Sequence, residues 1–498
     1  MPETDAASTE TELKLHLPAG AFAALAEGEF RKASVQELVS IYFDTDDRRL
    51  QKARLGVRLR STDGGGWVQT VKGESLGLDR FEDEAEVATG ALDRARLERG
   101  PIARILGDAA LQPVFETRVR RRTKRVQARG AEIELALDEG EVVAGAARQP
   151  FRELELELKA GARSALFPEA RRFVESAVAA VSLVSKAERG HTLAAGREAR
   201  AVRFRPPTLQ AGMNAGDAFR ALAFAAVHQL QANVLSPGAE NSLETVHQAR
   251  VALRRLRATL SAFKAVVDDD RLSAVKAQLK QMGDVFADAR SLDVFIAETF
   301  RPFARSVPGV AALGLGLLKV QGEAHARARA AASAKDFRMG VLDLLEWISI
   351  GPWTEEALTR AKAERPIAEA APRLLEQRWK KLRRRGRALD WRDPLARHAL
   401  RIEAKKMRYI AEAFTPLCGD ASDFLAALKA FQDFAGQLND IAVAEETAAL
   451  VLGPSLTAEA AFAAGLMVGE RRAGEAQLRR KARKALAALE SEPPFWKG

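Results

Sequence analysis

Carboxylates and bases recur with a period of two through the first third of the chain, and together they could hold a phosphate chain and the metal ion that accompanies it. Glu10, Glu12 and Lys14 share one parity; so do Arg58 and Arg60, then Lys72, then Arg80, Glu82, Glu84 and Glu86, then Glu153, Glu155, Glu157 and Lys159. Carboxylate oxygens are hard ligands that suit Mg²⁺, which takes only one or two of them per site and keeps water. Arginine and lysine grip phosphate oxygens through charge-assisted hydrogen bonds. A phosphate chain carries several negative charges near neutrality, and a site that holds it has to neutralise them.

Such residues work together only if one face of a sheet gathers them. Successive side chains on a strand point to opposite faces, so parity reads as face. The first strand carries Glu10, Glu12, Lys14 and His16 on one side and Thr11, Leu13, Leu15 and Leu17 on the other. Seven more strands are expected over residues 39–44, 55–61, 67–73, 80–88, 115–127, 132–138 and 152–160. Turns fall at Asp63-Gly64-Gly65-Gly66 and Asp138-Glu139-Gly140, and helices are expected over 19–29, 91–106 and 164–181. A half-solvated antiparallel sheet explains a polar parity on any one strand. A closed barrel with an ionic interior explains both signs of charge on eight strands, and closure also removes the sheet edges.

Other chemistries find less support. No Ser-His-Asp or Cys-His arrangement is evident, and the single cysteine, Cys418, has no signature around it and no partner for a bridge. His16 and His191 read as structural histidines. The glycines at 64–66 lack the Lys-Ser/Thr that follows in a phosphate-binding loop. The polar start MPETDAASTE and the absence of a long apolar run point to a protein of the cytoplasm that neither enters nor crosses a membrane.

The tunnel-forming residues resemble the CYTH superfamily, the triphosphate tunnel metalloenzymes. Glu10-Thr11-Glu12-Leu13-Lys14 fits its ExExK signature. There follow, in order, Tyr42-Phe43-Asp44-Thr45, Arg58-Leu59-Arg60, Gln69-Thr70-Val71-Lys72, Arg80 with Glu82 and Glu84, Leu111-Gln112-Pro113-Val114-Phe115, Asp138-Glu139-Gly140, Glu153-Leu154-Glu155-Leu156-Glu157 and Ser185-Lys186-Ala187-Glu188-Arg189-Gly190. The resemblance implies an eight-stranded antiparallel tunnel that binds triphosphates with Mg²⁺ or Mn²⁺. On its pattern Glu10, Glu12, Asp138, Glu155 and Glu157 bind metal, with Glu153 as an alternate because the register is open. Lys14, Arg58, Arg60, Lys72, Arg80, Arg121 and Lys186 grip phosphate, Lys14 acting in catalysis with Glu82 and Glu84, which orient the water. Which of Arg118, Arg120, Arg121 and Arg122 turns inward is left to the fold.

Net charge separates this region from the rest. Residues 1–200 hold 32 Lys and Arg against 33 Asp and Glu, whereas the remainder holds 45 against 34. An excess of bases is expected to meet a polyanion. Arg197 to Arg205 and Pro206-Pro207 read as a linker, after which helical periods take over at 217–233, 242–267 and 271–287. Within them His247, Arg250, Arg254, Arg255 and Arg257 are matched 151 positions later by His398, Arg401, Lys405, Lys406 and Arg408. At about 100° per residue, steps of 0, 3, 7 and 10 place four of each five on one stripe. Leu253, Leu256 and Leu260 flank the first stripe, where a bundle core would take them.

These paired motifs resemble the CHAD domain, a helical module with internal twofold similarity that often follows a CYTH domain. Arg290-Ser291-Leu292-Asp293-Val294 and Asn439-Asp440-Ile441 resemble its later elements, though the family usually has Arg-Asp where this chain has Arg290-Ser291. The resemblance implies binding of inorganic polyphosphate through the ten basic positions. A nucleic acid is the poorer fit, because no aromatic side chains interleave the rows to stack on bases.

The expectation is therefore an α+β chain of two domains: a disordered start over 1–9, a β-tunnel over 10–196, a linker over 197–209 and an all-α bundle over 210–498. The resemblances imply an inorganic triphosphatase with a polyphosphate-binding domain that would bring it to polyphosphate granules. A slow polyphosphate-binding protein, or a hydrolase of thiamine or nucleoside triphosphate, is the alternative.

Overall fold

The computed structural model describes residues 8–61, 65–100, 102–197, 200–236, 243–303, 310–451 and 457–497. Residues 1–7 of the expected disordered start, Asp63 and Gly64 of the glycine turn, and Ser242 lie outside them. Contacts divide the chain into two units. The first takes the described residues up to Ala201, with residues 235–236 and the segment Ala334–Ile350; the second takes the remainder.

The first unit is built on β1 (Ser8–His16), β2 (Ser34–Asp44), β3 (Gly56–Ser61), β4 (Trp67–Leu76), β5 (Asp79–Val87), β6 (Gln112–Ala128), β7 (Ala131–Ala144) and β8 (Ala147–Ala160). Their order around the wall is β5, β4, β3, β2, β6, β7, β8, β1, and β1 pairs back onto β5, so eight antiparallel strands close into a barrel. The hairpin between β6 and β7 is the two-residue turn Arg129-Gly130, both with positive φ (52° and 75°), the conformation whose twist matches the flanking strands. The helix expected over 91–106 divides into Arg94–Arg99 and Ala103–Leu106, the first ending at Gly100. The one expected over 164–181 stops at Ser176, and a ninth strand, β9 (Ala180–Val181), adds to β1 beyond the end of β5.

The barrel is apolar outside and ionic inside. Leu13 and Leu15 of β1 and Leu154 and Leu156 of β8 face outward and are fully buried beneath covering elements that include Leu166, Phe167 and Phe173. Burial of each such side chain is worth about 1.5–3 kcal/mol, so the strands are held by their outer parity while the inner parity is left for charge. At one end the inner parity turns apolar: β6 passes from Arg121 to Val119 and Phe115, and β8 from Glu153 to Phe151. Tyr42, Phe115, Val119, Val142, Phe151 and Leu193 form a plug there. Helix Lys186–Ala194 supplies Leu193 and packs so closely that a Cβ on Gly190 would lie 2.1 Å from the Phe115 ring.

One covering helix comes from far along the chain. Lys335–Ile350 packs on Leu166–Ser176, where Arg171 pairs with Asp343 at 2.6 Å and Glu346 at 2.8 Å, and Trp347 is fully buried.

The second unit is all helical. Ala215–Val234, Leu243–Ala262 and Leu272–Asp284 correspond to the three expected helices, and Leu253, Leu256 and Leu260 are buried. The proline-rich segment is fastened to this unit: Val202 exchanges two hydrogen bonds with Asn233, at 3.0 and 2.8 Å, and Leu209 is buried. No described helix is long and apolar enough to cross a membrane.

Candidate active site in the tunnel and a cation cluster on the helices

Antiparallel register sets side chains directly opposite one another on the same face. Across β1, β8, β7 and β6 one row runs His16, Glu153, Asp138, Arg121; the next runs Lys14, Glu155, Ala136, Thr123; a third runs Glu12, Glu157, Glu134, Arg125. On the facing wall Tyr42, Arg58, Thr70 and Glu84 are opposite one another from β2 to β5. Lys72 there stands opposite Glu82, and Glu10 opposite Arg80. The register thus turns Arg121 inward, while Arg118 and Arg120 are exposed on Glu116 and Glu37.

The lumen charges form a compensated lattice. Arg121 donates to both oxygens of Asp138, at 2.8 and 2.7 Å, and also meets Glu155. The Lys186 ammonium lies 2.9 Å from Asp138 and 2.8 Å from Glu155 and contacts Glu153. Lys14 lies 3.1 Å from Glu155 and 3.9 Å from Glu12, which Arg80 approaches at 3.5 Å. On the facing wall Lys72 bridges Glu10 at 2.8 Å and Glu82 at 3.0 Å, and Arg58 lies 3.6 Å from Glu82 and 3.7 Å from Glu84. Arg60 donates to Ser40 and has no carboxylate within ion-pair distance among the described residues. Glu157 is set apart on Lys159, at 2.6 Å.

Lys186 is the member that no strand pattern positions. It is the first residue of helix Lys186–Ala194, whose N-cap Ser185 accepts from the Glu188 amide at 3.1 Å. The bare Gly190 face lets that helix sit against the plug, which places the ammonium over the acidic row.

Protonation follows this pairing. Burial works against the Lys14 and Lys186 ammonium groups, and the surrounding carboxylates outweigh it, so both pKa values are raised. Burial likewise works to raise Glu155, but Lys186, Lys14 and Arg121 hold it well below its ordinary 4.5. Burial, with Arg189 and Arg152, brings His16 down to about 4, so it stands neutral at the edge of the lattice. His191 packs edge-on against Phe115, as a structural histidine would.

The lattice can hold a divalent cation. Asp138, Glu153 and Glu155 each offer an oxygen within 4.8 Å of the others. Both Glu153 oxygens are buried without a hydrogen bond of sound geometry, the Lys186 ammonium being their ion-pair partner. Glu153, the alternate in the sequence, is thus in the innermost carboxylate group, and Glu157 is not. Two lumen residues were given no role from the sequence: Tyr42, buried beside Arg58 and Arg60, and Thr70, which accepts from Arg58 and donates to Glu84. Both stand inside quoted motifs, and cross-strand parity alone would have turned them inward.

On the helical unit the two basic motifs converge. Arg254 lies in the fields of His247, Arg250, Arg401 and Lys405, together with Arg290, which sequence reasoning left without a role. Burial and the crowd of cations bring Lys405 down to about 6 and His247 to about 4. Asp440 opposes this at Arg401 and Lys405. The Nε atoms of Arg254 and Arg401 are buried without a hydrogen bond. Five predicted residues lie apart from the cluster or are tied elsewhere. Arg255 stacks on Phe204 and Tyr409 and pairs with Glu412, Lys406 pairs with Glu403, Arg408 pairs with Glu412, and Arg257 is exposed. His398 contacts Asn439.

A closed antiparallel tunnel with an ionic lumen, joined in one chain to an all-helical unit bearing a cation cluster, defines the class of protein. Residues 8–190 match the CYTH domain family and residues 221–449 the CHAD domain family: the chain is a CYTH domain followed by a CHAD domain. A curated inorganic triphosphatase from Haemophilus influenzae is 28% identical over 161 residues, which cover 31% of this chain and 46% of the relative, so the chain spans about half of that protein's length. The crystal structure of the CHAD domain from the plant Ricinus communis matches with a TM-score of 0.51 at 25% identity, covering 59% of this chain and 97% of that one. PptA from Streptomyces chartreusis matches at 18% identity with a TM-score of 0.44, over 55% and 99%.

The depressed Glu155 pKa gives a sign for acid stability. A carboxyl whose folded pKa lies below its unfolded value stabilises fully above about 4.5 and loses that contribution as pH falls toward the folded value. Urea unfolding of the tunnel unit is expected to weaken steeply below that pH. Glu155→Gln should cost about 3–5 kcal/mol at pH 7, by leaving cations unpaired, and should flatten the acid slope; an unchanged slope would remove Glu155 from the lattice.

Proposed function

We propose that the tunnel hydrolyses inorganic triphosphate to pyrophosphate and phosphate with Mg²⁺ or Mn²⁺, and that the helical unit binds inorganic polyphosphate. The observation that carries the first part is the inward lattice of carboxylates and cations, with Asp138, Glu153 and Glu155 grouped within 4.8 Å of one another across two adjacent rows. The likeness to an inorganic triphosphatase over part of the chain supports the same reading.

The donor set of all-oxygen ligands fits a hard divalent ion, held by Asp138, Glu153 and Glu155, with Glu10 and Glu12 facing the phosphate chain from β1. When bound there, such an ion would polarise phosphoryl oxygens and lower the charge that an attacking water must approach. The chain's own residues do the rest. Arg58, Arg60, Lys72, Arg80, Arg121 and Lys186 fix the phosphate oxygens, Lys14 stabilises charge gathering in the transition state, and Glu82 and Glu84 orient the water. The water oxygen bonds to the terminal phosphorus, the bridging P–O bond breaks, and pyrophosphate leaves. The plug of Tyr42, Phe115 and Phe151 gives the lumen a dry end, where these charges act at low dielectric. For the second part, the support is the convergence of Arg250, Arg254, Arg401 and Lys405 with no ion-pair partner within reach among the described residues, a setting that favours a linear anion.

Purified protein should release phosphate from tripolyphosphate faster than from ATP, thiamine triphosphate or long-chain polyphosphate, and lose that activity to chelator. Glu10→Ala with Glu12→Ala should lower turnover by a factor of about 10²–10³ or more; undiminished turnover in the double variant would end the assignment. Long-chain polyphosphate should bind with a steep salt dependence. Neutralising Arg250, Arg254, Arg401 and Lys405 should make the slope of log K against log salt shallower by about 3, whereas equally tight binding of duplex DNA at the same salt would argue against polyphosphate as the ligand.

A further inference from the structure

The helix Ile367–Arg387 ends in a run of bases that neither motif contains. Lys380, Arg383, Arg384 and Arg387 are spaced 0, 3, 4 and 7, which puts them on one helical face. With Ala388 they line a cavity of about 390 Å³, and no described carboxylate is among the lining residues, the Glu490 carboxylate coming near the same turn, 3.7 Å from where a Cβ on Gly386 would lie. Some exposed bases elsewhere on this protein pair with an acidic neighbour, as Arg360 does with Glu364, Lys429 with Asp433 and Lys280 with Asp284, and others, Arg257 among them, have no ion-pair partner among the described residues. Here only Lys380 has one, Glu376 at 3.7 Å, and no ion pair of Arg383, Arg384 or Arg387 occurs among the described residues. The Arg383 Nε is buried and has no hydrogen bond, and its guanidinium stands 5.8 Å from the Trp379 ring.

Cations at a helix C-terminus are favoured by the macrodipole, which accounts for one or two of these residues. It does not account for Lys380, two turns back, or for the neighbouring helix. Glu475–Ser491 approaches at Gly386, where a Cβ would lie 3.1 Å from Leu486, and the face carrying Leu486 also carries Arg479 and Arg483. Neither has an ion pair among the described residues. From Lys380 to Arg387 the row spans about 10 Å of helix axis, a length along which successive phosphates of one chain can each meet a base.

We propose that Lys380, Arg383, Arg384 and Arg387 form a second anion-binding cradle on the helical unit, which takes phosphoryl groups of a linear condensed phosphate and is separate in sequence and in lining residues from the Arg254 cluster. Its ligand class rests on the polyphosphate reading; its existence as a site rests on the cavity and its unpaired bases. Guanidinium groups suit this task because their planar donors match phosphate oxygens two at a time.

The test compares four full-length proteins: wild type, Arg383→Gln with Arg384→Gln and Arg387→Gln, the variant with Arg250, Arg254, Arg401 and Lys405 neutralised, and the protein that combines both sets. Long-chain inorganic polyphosphate is the probe, titrated at several salt concentrations. The cradle variant should bind several-fold more weakly, with a salt slope shallower by about 2, and the two sets of substitutions should act additively. If the cradle variant matches wild type while the cluster variant loses binding, the cradle is wrong and the cluster stands. If wild type does not bind polyphosphate, the ligand fails for both. If the cradle substitutions weaken binding of duplex DNA and leave polyphosphate binding intact, the cradle's ligand is a nucleic acid and the proposal is overturned.

Discussion

The tunnel exists because its buried charges compensate one another. Glu10, Glu12, Glu82, Glu84, Asp138, Glu153 and Glu155 face Lys14, Arg58, Arg60, Lys72, Arg80, Arg121 and Lys186, and all but Arg60, which donates to Ser40, have a partner of opposite charge, as a buried charge requires. This constraint explains the inverted barrel. With the inner parity given to charge, the outer parity has to supply the hydrophobic stabilisation, so the wall needs covering helices, one of them recruited from residues 335–350. It also bears on what the lumen can accept. A lattice already near neutrality has little net attraction for a highly charged anion alone, but it can exchange internal pairs for an anion and divalent cations that arrive together.

The helical unit follows the opposite rule. Around Arg254 the cations repel one another, and burial together with Arg254 and Arg401 brings Lys405 down to about 6 against the opposing field of Asp440. Such a surface gains from any anion that arrives, without a metal, through neutralisation and counterion release. On the proposed function, one chain would join a site that takes a phosphate chain by exchange to a surface that takes one by excess charge.

The strand parity was legible in the sequence because β-structure carries a period of two, and it located the inward charges on β1, β3, β4, β5 and β8, while β2 and β6 were left open and Asp138 of β7 was named by resemblance. Register was not legible, because it depends on pairings between distant strands; only the ladder distinguishes Arg121 from its neighbours and brings Glu153 opposite Asp138. Lys186 was nameable by resemblance, yet its position depends on the Ser185 cap and on Gly190 meeting Phe115. The helical stripe was read correctly in spacing for Arg250 and Arg254. Arg255 and Lys406, off that stripe, fall to aromatic rings and to Glu403, partners that lie 150 residues away or on the same turn. The helix Lys335–Ile350 gave no sign of belonging to the first unit, since an amphipathic pattern says that a face is buried and not against what.

Calorimetry with a non-hydrolysable triphosphate analogue tests the central claim most directly, in a chain whose Arg250, Arg254, Arg401 and Lys405 and whose Arg383, Arg384 and Arg387 are all neutralised so that only the tunnel reports. Exchange into a compensated lattice predicts binding with Mn²⁺ or Mg²⁺ present and its loss in chelator. Equal affinity with and without the metal would contradict it.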